Sequence, residues 1–421
     1  MSENDNGFIP TFTYVEDLAK PNQIKTEKKD SIIQNEINKK EKEREINEKK
    51  KEINVKEKEI EKDNEFIPIG LTKLNDCIYI NPILQLLGGI SDFRKFFIKN
   101  KQIYKDKIRE SQIFKLSFVT SRLYANLYEE EETKKTKLYK SHNFLIVSKD
   151  LNSFICNNKD TKIKDIFIFV LNQLHDENNK KNENKIKEKY NRTNLKESIN
   201  NGIEANNEEN NSIITAILNY LLLQTIKCPE CNNQLFEIKS FSTYELNICS
   251  AYQKIMTPNE KRDLFLKDCL NNEKINEKKP FKFYCNICKA YKITKEIYFQ
   301  FYEIKDKIIF LLDRDSIFDE NKLSLIIPFK LEETINMGEY MFIDNNTSKY
   351  ELTGIISGEI KEKRYVCFSK SCVNNKWYLY IDEYTEKKNI KDILDEHNDK
   401  LKYIPYILMY SKIKYISYNL Y

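Results

Sequence analysis

Three textures of hydrophobic and polar positions follow one another along the chain. From Asn81 to Phe97, apolar residues fall at Ile83, Leu84, Leu86, Leu87, Ile90, Phe93 and Phe97. That is helical spacing, and Gly88-Gly89 predicts a break within it. A second helix is predicted over Lys164 to His175 (KDIFIFVLNQLH). Beyond Lys227 the texture changes. Residues 292–314, 364–384 and 402–412 are rich in Ile, Val, Tyr and Phe with period-two stretches, and Asn374 to Lys376 reads as a hairpin turn between two strands. Helices first and strands later predict an α+β fold.

Two segments lack such a pattern. Of the 28 residues 36–63, 20 are charged, ten of each sign. Ile46, Ile53 and Ile60 recur every seven residues, but Lys49 and Lys56 occupy the partner positions, so one stripe does not make a coiled-coil seam. A solvated single helix within a charged extension over residues 1–65 is the expectation. Upstream, Phe8 to Pro21 (FIPTFTYVEDLAKP) is apolar enough to act as a short peptide ligand. Residues 176–211 include 12 Asn among 36 and six apolar side chains. They are expected to be a disordered insertion in a folded domain spanning 66–421.

The whole chain of 421 residues carries 70 Lys and Arg against 65 Asp and Glu, a net charge of +5. That is too weak a bias to call for a nucleic acid or an anionic membrane. The longest apolar stretch, 213–226, is interrupted by polar residues and falls short of the ~20 residues a spanning helix needs. The first residues, MSENDNGF, have neither a basic start nor an apolar run. With ten cysteines and no leader, reduced thiols and an intracellular site, cytoplasmic or nuclear, are expected.

Four of these cysteines have metal-ligand spacing. Cys228-Pro-Glu-Cys231 and Cys285-Asn-Ile-Cys288 are two knuckles, and a two-residue gap lets both thiolates of a knuckle reach one Zn²⁺. Cys77, Cys156, Cys249, Cys269, Cys367 and Cys372 lack such spacing and read as small core residues. The three histidines, His142, His175 and His397, exclude a His-rich metal site, and a strand is expected after His142.

Gly70 to Leu87 (GLTKLNDCIYINPILQLL) resembles the cysteine box of the ubiquitin-specific proteases, G-L-x-N-L-G-N-T-C-Y-M-N-S-x-L-Q. Gly70, Leu71, Leu74, Tyr79, Asn81, Leu84 and Gln85 are in ungapped register. The likeness continues through Asp165 to His175, both knuckles, residues 307–318, Tyr350 to Ile356, RYVCF, WYLYIDE and Tyr406 to Tyr410. It implies a papain-like fold with a helical thumb, zinc-ribbon fingers and a β palm. It also implies ubiquitin, or a ubiquitinated or multiprotein complex, as partner, with no membrane and no direct nucleic acid.

The departures fall on the chemistry. In that register the nucleophile position holds Ile78, the oxyanion-stabilising Asn is Lys73, the His is Arg364, and the carboxylate that orients the His is Ile381. Ile has no nucleophilic atom, and Arg, always protonated, is no base. The expectation is a catalytically inactive member acting as a ubiquitin-binding or scaffolding module. It shares its missing nucleophile with the family's inactive spliceosomal member, so a splicing assembly role is an alternative. Another is an active cysteine deubiquitinase. A one-residue slip would align Asn75-Asp76-Cys77 with N-T-C and make Cys77 the nucleophile.

Overall fold

Every residue of the helix α1 (Ile80–Gly88) is buried, its two polar side chains, Asn81 and Gln85, included. A helix with no solvent-facing side belongs inside a domain. The computed structural model describes residues 68–414 except 76, 111–113, 129–139, 156–160, 181–191, 257–261, 275–279, 318–321 and 344–347. The charged extension over 1–65 lies outside the described residues.

As the glycine pair predicts, α1 stops at Gly88 and the chain restarts as α2 (Ser91–Lys99), which buries Phe93 and Phe97. Next come α3 (Lys101–Glu110), α4 (Lys115–Tyr128) and α5 (His142–Leu151). The segment after His142, expected as a strand, is helical and buries Phe144, Leu145 and Ser148 at helical spacing. The helix α6 (Ile163–Asn178) runs down the lobe. Its buried Glu177 accepts the Leu116 and Ser117 amides at 3.1 and 2.7 Å. A carboxylate thus satisfies otherwise unpaired amides at the positive end of α4.

The expectation of disorder over 176–211 is corrected for much of that span. Its first residues complete α6, and α7 (Leu195–Glu209) is a helix capped by Asn194. It buries a narrow stripe of Ser198, Ile199, Gly202 and Asn206. The stripe lies on the strand β2 (Gln234–Phe241), which follows α8 (Ile213–Leu218) and β1 (Tyr220–Lys227). A Cβ on Gly202 would stand 2.7 Å from the Ile238 side chain. Close approach, not apolar area, makes this packing, so a count of apolar residues misses it. Asn179 closes the neck, donating to the Glu209 carbonyl and accepting the Asn211 amide.

The remaining strands are β3 (Tyr244–Leu246), β4 (Phe281–Cys285), β5 (Ala290–Thr294), β6 (Ile297–Ile304), β7 (Lys307–Leu312), β8 (Lys349–Glu359), β9 (Arg364–Lys370), β10 (Trp377–Ile381), β11 (Tyr384–Lys388) and β12 (Ile404–Lys412). Strands β2-β1-β6 form one antiparallel sheet, and β4-β5 a separate hairpin. The large sheet has the order β11-β10-β9-β8-β12-β7-β3, antiparallel except for β3 against β7. The predicted hairpin turn joins β9 to β10, with Asn375 at φ 57°.

Both faces of the large sheet are covered, with side chains alternating between them except where the β8–β12 register shifts. Ile309, Leu311, Tyr365, Cys367, Tyr378 and Met409 join α1, α2, α4 and α6 in one core. Ile308, Phe310, Leu312, Val366, Phe368, Trp377 and Leu408 join a second, where α9 (Ile248–Ile255), α10 (Leu266–Lys274) and α11 (Ile390–Asn398) pack. A third, smaller core surrounds the knuckle cysteines. Between the larger sheet and its covering loops lies Arg314, fully buried. Its guanidinium donates to the carbonyls of Pro405 (2.9 Å), Ile327 (3.2 Å) and Ser324. Burial pulls its pKa down to about 10.

Candidate functional site

The chain enters α1 through a corner fastened to the β10–β11 turn. The Leu71 amide donates to the Asp382 carbonyl at 2.8 Å, and the Lys73 amide to Glu383 Oε1 at 2.6 Å. Only glycine fits at residue 70, because a Cβ there would lie 2.4 Å from the Asp382 carbonyl oxygen. Asn81, buried in the first turn of α1, is the knot. Its Nδ2 donates to the Thr72 carbonyl (3.0 Å) and to Asp382 Oδ1 (2.7 Å), and its Oδ1 accepts from Ser141 Oγ (2.5 Å). A buried amide is tolerated because its donors and acceptor are used.

Asp382 sits at φ 47° in the turn, the left-handed region that Asp adopts more readily than most residues. Burial raises its carboxyl above the usual range. The Glu383 charge adds to the rise, while the Asn81 bond and the Lys73 and Arg364 cations oppose it. Arg364, at the start of β9, donates from Nε to Glu359 Oε2 at 2.6 Å, and its Nη2 reaches the same oxygen. Next to it, Tyr365 packs on Tyr79 with ring centroids 5.4 Å apart.

The structure therefore brings Lys73, Tyr79, Asn81, Arg364 and Asp382 into one corner. Ile78 is half-buried against the first core, and Ile381, one residue before the corner, packs against the second. Cys77 is buried and disulfide-bonded, whereas the other eight described cysteines are free thiols. A sulfur in a disulfide is neither a thiolate nor a nucleophile. The histidines are engaged elsewhere or exposed. His397 Nε2 pairs with Ser357 Oγ (2.8 Å) and its Nδ1 with the Ile393 carbonyl (2.7 Å), and burial depresses its pKa to about 4. His175 pairs with Ser212 Oγ (2.8 Å) and Asn179 Nδ2 (3.2 Å). His142 is exposed at the start of α5.

One network escaped the sequence reading. Lys162 bridges to Asp315 (3.0 Å) and Asp313 (3.6 Å), and Lys164 to Asp313 (2.6 Å) and Glu245. These charges tie the start of α6 to the ends of β7 and β3. They sit singly at element ends far apart in sequence, so no local spacing marks them.

The second site is metal-binding. Cys228 follows β1, Cys285 ends β4, and each opens a tight knuckle. The Asn232 amide donates to the Cys228 carbonyl, the Cys228 amide to Asn233, and Asn232 and Lys289 take φ of 57° and 51°. All four sulfurs of Cys228, Cys231, Cys285 and Cys288 lie within 4.8 Å of one another. Cys228 and Cys288 are 3.9 Å apart, and Cys231 and Cys285 3.6 Å. A tetrahedron with Zn–S bonds of ~2.3 Å has S···S edges of about 3.8 Å, so the donors fit in type, number and spacing. The four cysteines form a structural Zn²⁺ site. As a closed Cys₄ set it leaves no open position for chemistry.

The model of the ubiquitin carboxyl-terminal hydrolase family matches residues 69–410, and the chain belongs to that family. Solved structures with the same fold include the SAGA Ubp8/Sgf11/Sus1/Sgf73 DUB module bound to ubiquitin aldehyde (TM-score 0.57) and the same module bound to monoubiquitin (TM-score 0.56). A yeast SAGA DUB module structure is similar at a TM-score of 0.54. Each is 18% identical, over 83% of this chain and 72% of the matched one. The expected fold, a papain-like ubiquitin-specific protease α+β domain, is borne out. None of the described helices is long and apolar enough to cross a membrane.

Proposed function

We propose that this chain is a catalytically inactive ubiquitin-specific protease-like protein that binds ubiquitin, or a complex carrying it, without cleaving it, in the cytoplasm or nucleus. The observation that carries the reading is the chemistry of the α1 corner. Where the fold family's reaction needs a thiolate and a neutral base, the corner offers Ile78 and an Arg364 committed to Glu359. A guanidinium stays protonated at any physiological pH and cannot take a thiol proton. The oxyanion position, Lys73, is an exposed cation, and Ile381 cannot orient a base.

The ubiquitin part of the proposal rests on the relatives, since a similar DUB module is solved bound to monoubiquitin. Its test is ubiquitin carrying a C-terminal thiol-reactive warhead, incubated with the zinc-loaded chain under reducing conditions, with ubiquitin affinity measured on the same sample. Measurable affinity with no covalent adduct is expected. An adduct on Cys77 would establish the active alternative, and no affinity at all would remove ubiquitin as partner.

A further inference from the structure

The zinc hairpin has two faces of opposite duty. Phe283 and Cys285 of β4 point into the third core. The pairs Lys282↔Ile293 and Tyr284↔Tyr291 lie across the strands on the other face. That face is neither covered nor polar. Tyr291 is 67% exposed, Ile293 63% and Tyr284 47%, and Ile287 at the knuckle tip is 61% exposed. Together they leave on the order of 400 Å² of apolar surface in water, the size that marks a contact site rather than scattered residues.

The charge around this face has one sign. Lys282, Lys289 and Lys295 are exposed, and none has a carboxylate within ion-pair reach among the described residues. Lys282 instead lies 4.9 Å over the Tyr291 ring. The hairpin's other charges are already paired, Lys292 with Glu230 and Glu296 with Lys227. Among the described residues, β4 and β5 pair only with each other.

We propose that the outer face of the β4–β5 hairpin docks an acidic segment of a partner protein, one in which carboxylates alternate with apolar side chains. The unpaired lysines select the carboxylates, and Tyr284, Tyr291, Ile287 and Ile293 cover the apolar positions. The two isoleucines favour a protein over a nucleic acid, because bases stack on rings and gain little from branched aliphatic tips.

The test uses the full zinc-loaded chain and a fluorescein-labelled peptide in which glutamate alternates with leucine and phenylalanine, read by anisotropy. Saturable binding is expected, and a glutamine-for-glutamate peptide should bind at least about tenfold more weakly. Two variants, Lys282→Glu/Lys295→Glu and Tyr291→Ser/Ile293→Ser, should each weaken binding by a similar factor. Zinc content and melting temperature should be retained in both, since these side chains lie outside the cores. No saturable binding, equal binding of the neutral peptide, or indifference to both variants would overturn the proposal. So would preference for an oligouridine probe, or displacement of the peptide by ubiquitin, which would make the face part of the ubiquitin platform.

Discussion

The α1 corner and the zinc centre are built by the same means yet differ in what they hold. Each joins segments distant in sequence through backbone hydrogen bonds and left-handed turn residues: Asp382 in one, Asn232 and Lys289 in the other. In the zinc centre the chemistry itself is the scaffold. Four thiolates are at once the ligands and the link between knuckles, so losing one removes the fold's support. At the corner the scaffold is separate from the chemistry. Gly70, Asn81 and Asp382 hold the geometry, while the side chains at 73, 78, 364 and 381 lie at its margin, exposed, half-buried or paired with Glu359. On the proposed reading a fold keeps a catalytic architecture after its reactive groups are replaced, whereas a structural metal site loses its support with its ligands.

The sharpest way to break this contrast is to attack the zinc centre. Cys285→Ser, or chelation of the metal, should abolish zinc binding, cost several kcal/mol and unravel β1, β2 and β6 around the third core, as structural zinc contributes directly to folding. Metal analysis and thermal melting would check this; full stability without zinc would undo the comparison.

Two arginines give the next test. Arg314→Met leaves three buried carbonyls without a donor and should cost about 3 kcal/mol. Arg364→Gln loses only a partly exposed pair with Glu359 and should cost less than about 1 kcal/mol. Urea unfolding of both variants measures the difference, and a reversed order would show that the corner is structural.

A third prediction concerns pH. His397 is neutral in the fold, with a pKa of about 4 against 6.5 for an unburied imidazole. Its contribution is complete above pH 6.5 and is lost as pH falls from there to about 4, where the unfolded chain binds a proton that the folded one refuses. The loss amounts to about 3 kcal/mol. His397→Gln should flatten that part of the stability profile, measured by denaturation between pH 4 and 7. A further test falls on α7. Gly202→Val would push a branched side chain into Ile238 and should cost about 2 kcal/mol; no change would mean that α7 is not held against β2.

Much of this architecture is legible in sequence, for physical reasons. The Gly88-Gly89 break, the period-two strands and the Asn374 to Lys376 turn are local signals, and the structure bears them out. The two knuckles read as zinc ligands because a two-residue gap fixes their geometry locally. What was not legible depends on tertiary proximity. The helix α7 packs through a glycine and small polar side chains, so its composition resembles a disordered segment. The helix after His142 reads as a strand because Phe144 to Val147 is an unbroken apolar run, which hides the helical period. Asn81 was visible only as a matching position, and its role as the knot between Thr72, Ser141 and Asp382 appears only in three dimensions. The Lys162 and Lys164 network joins element ends for the same reason.

The central claim, that the corner keeps the fold but not the reaction, is tested most directly by turnover of a fluorogenic ubiquitin C-terminal amide. The reduced, zinc-loaded wild type should be compared with Cys77→Ser. Removing one member of a catalytic group typically costs several orders of magnitude, so turnover at background in both proteins is expected. Robust wild-type cleavage that disappears in Cys77→Ser would contradict the account and make Cys77 the nucleophile.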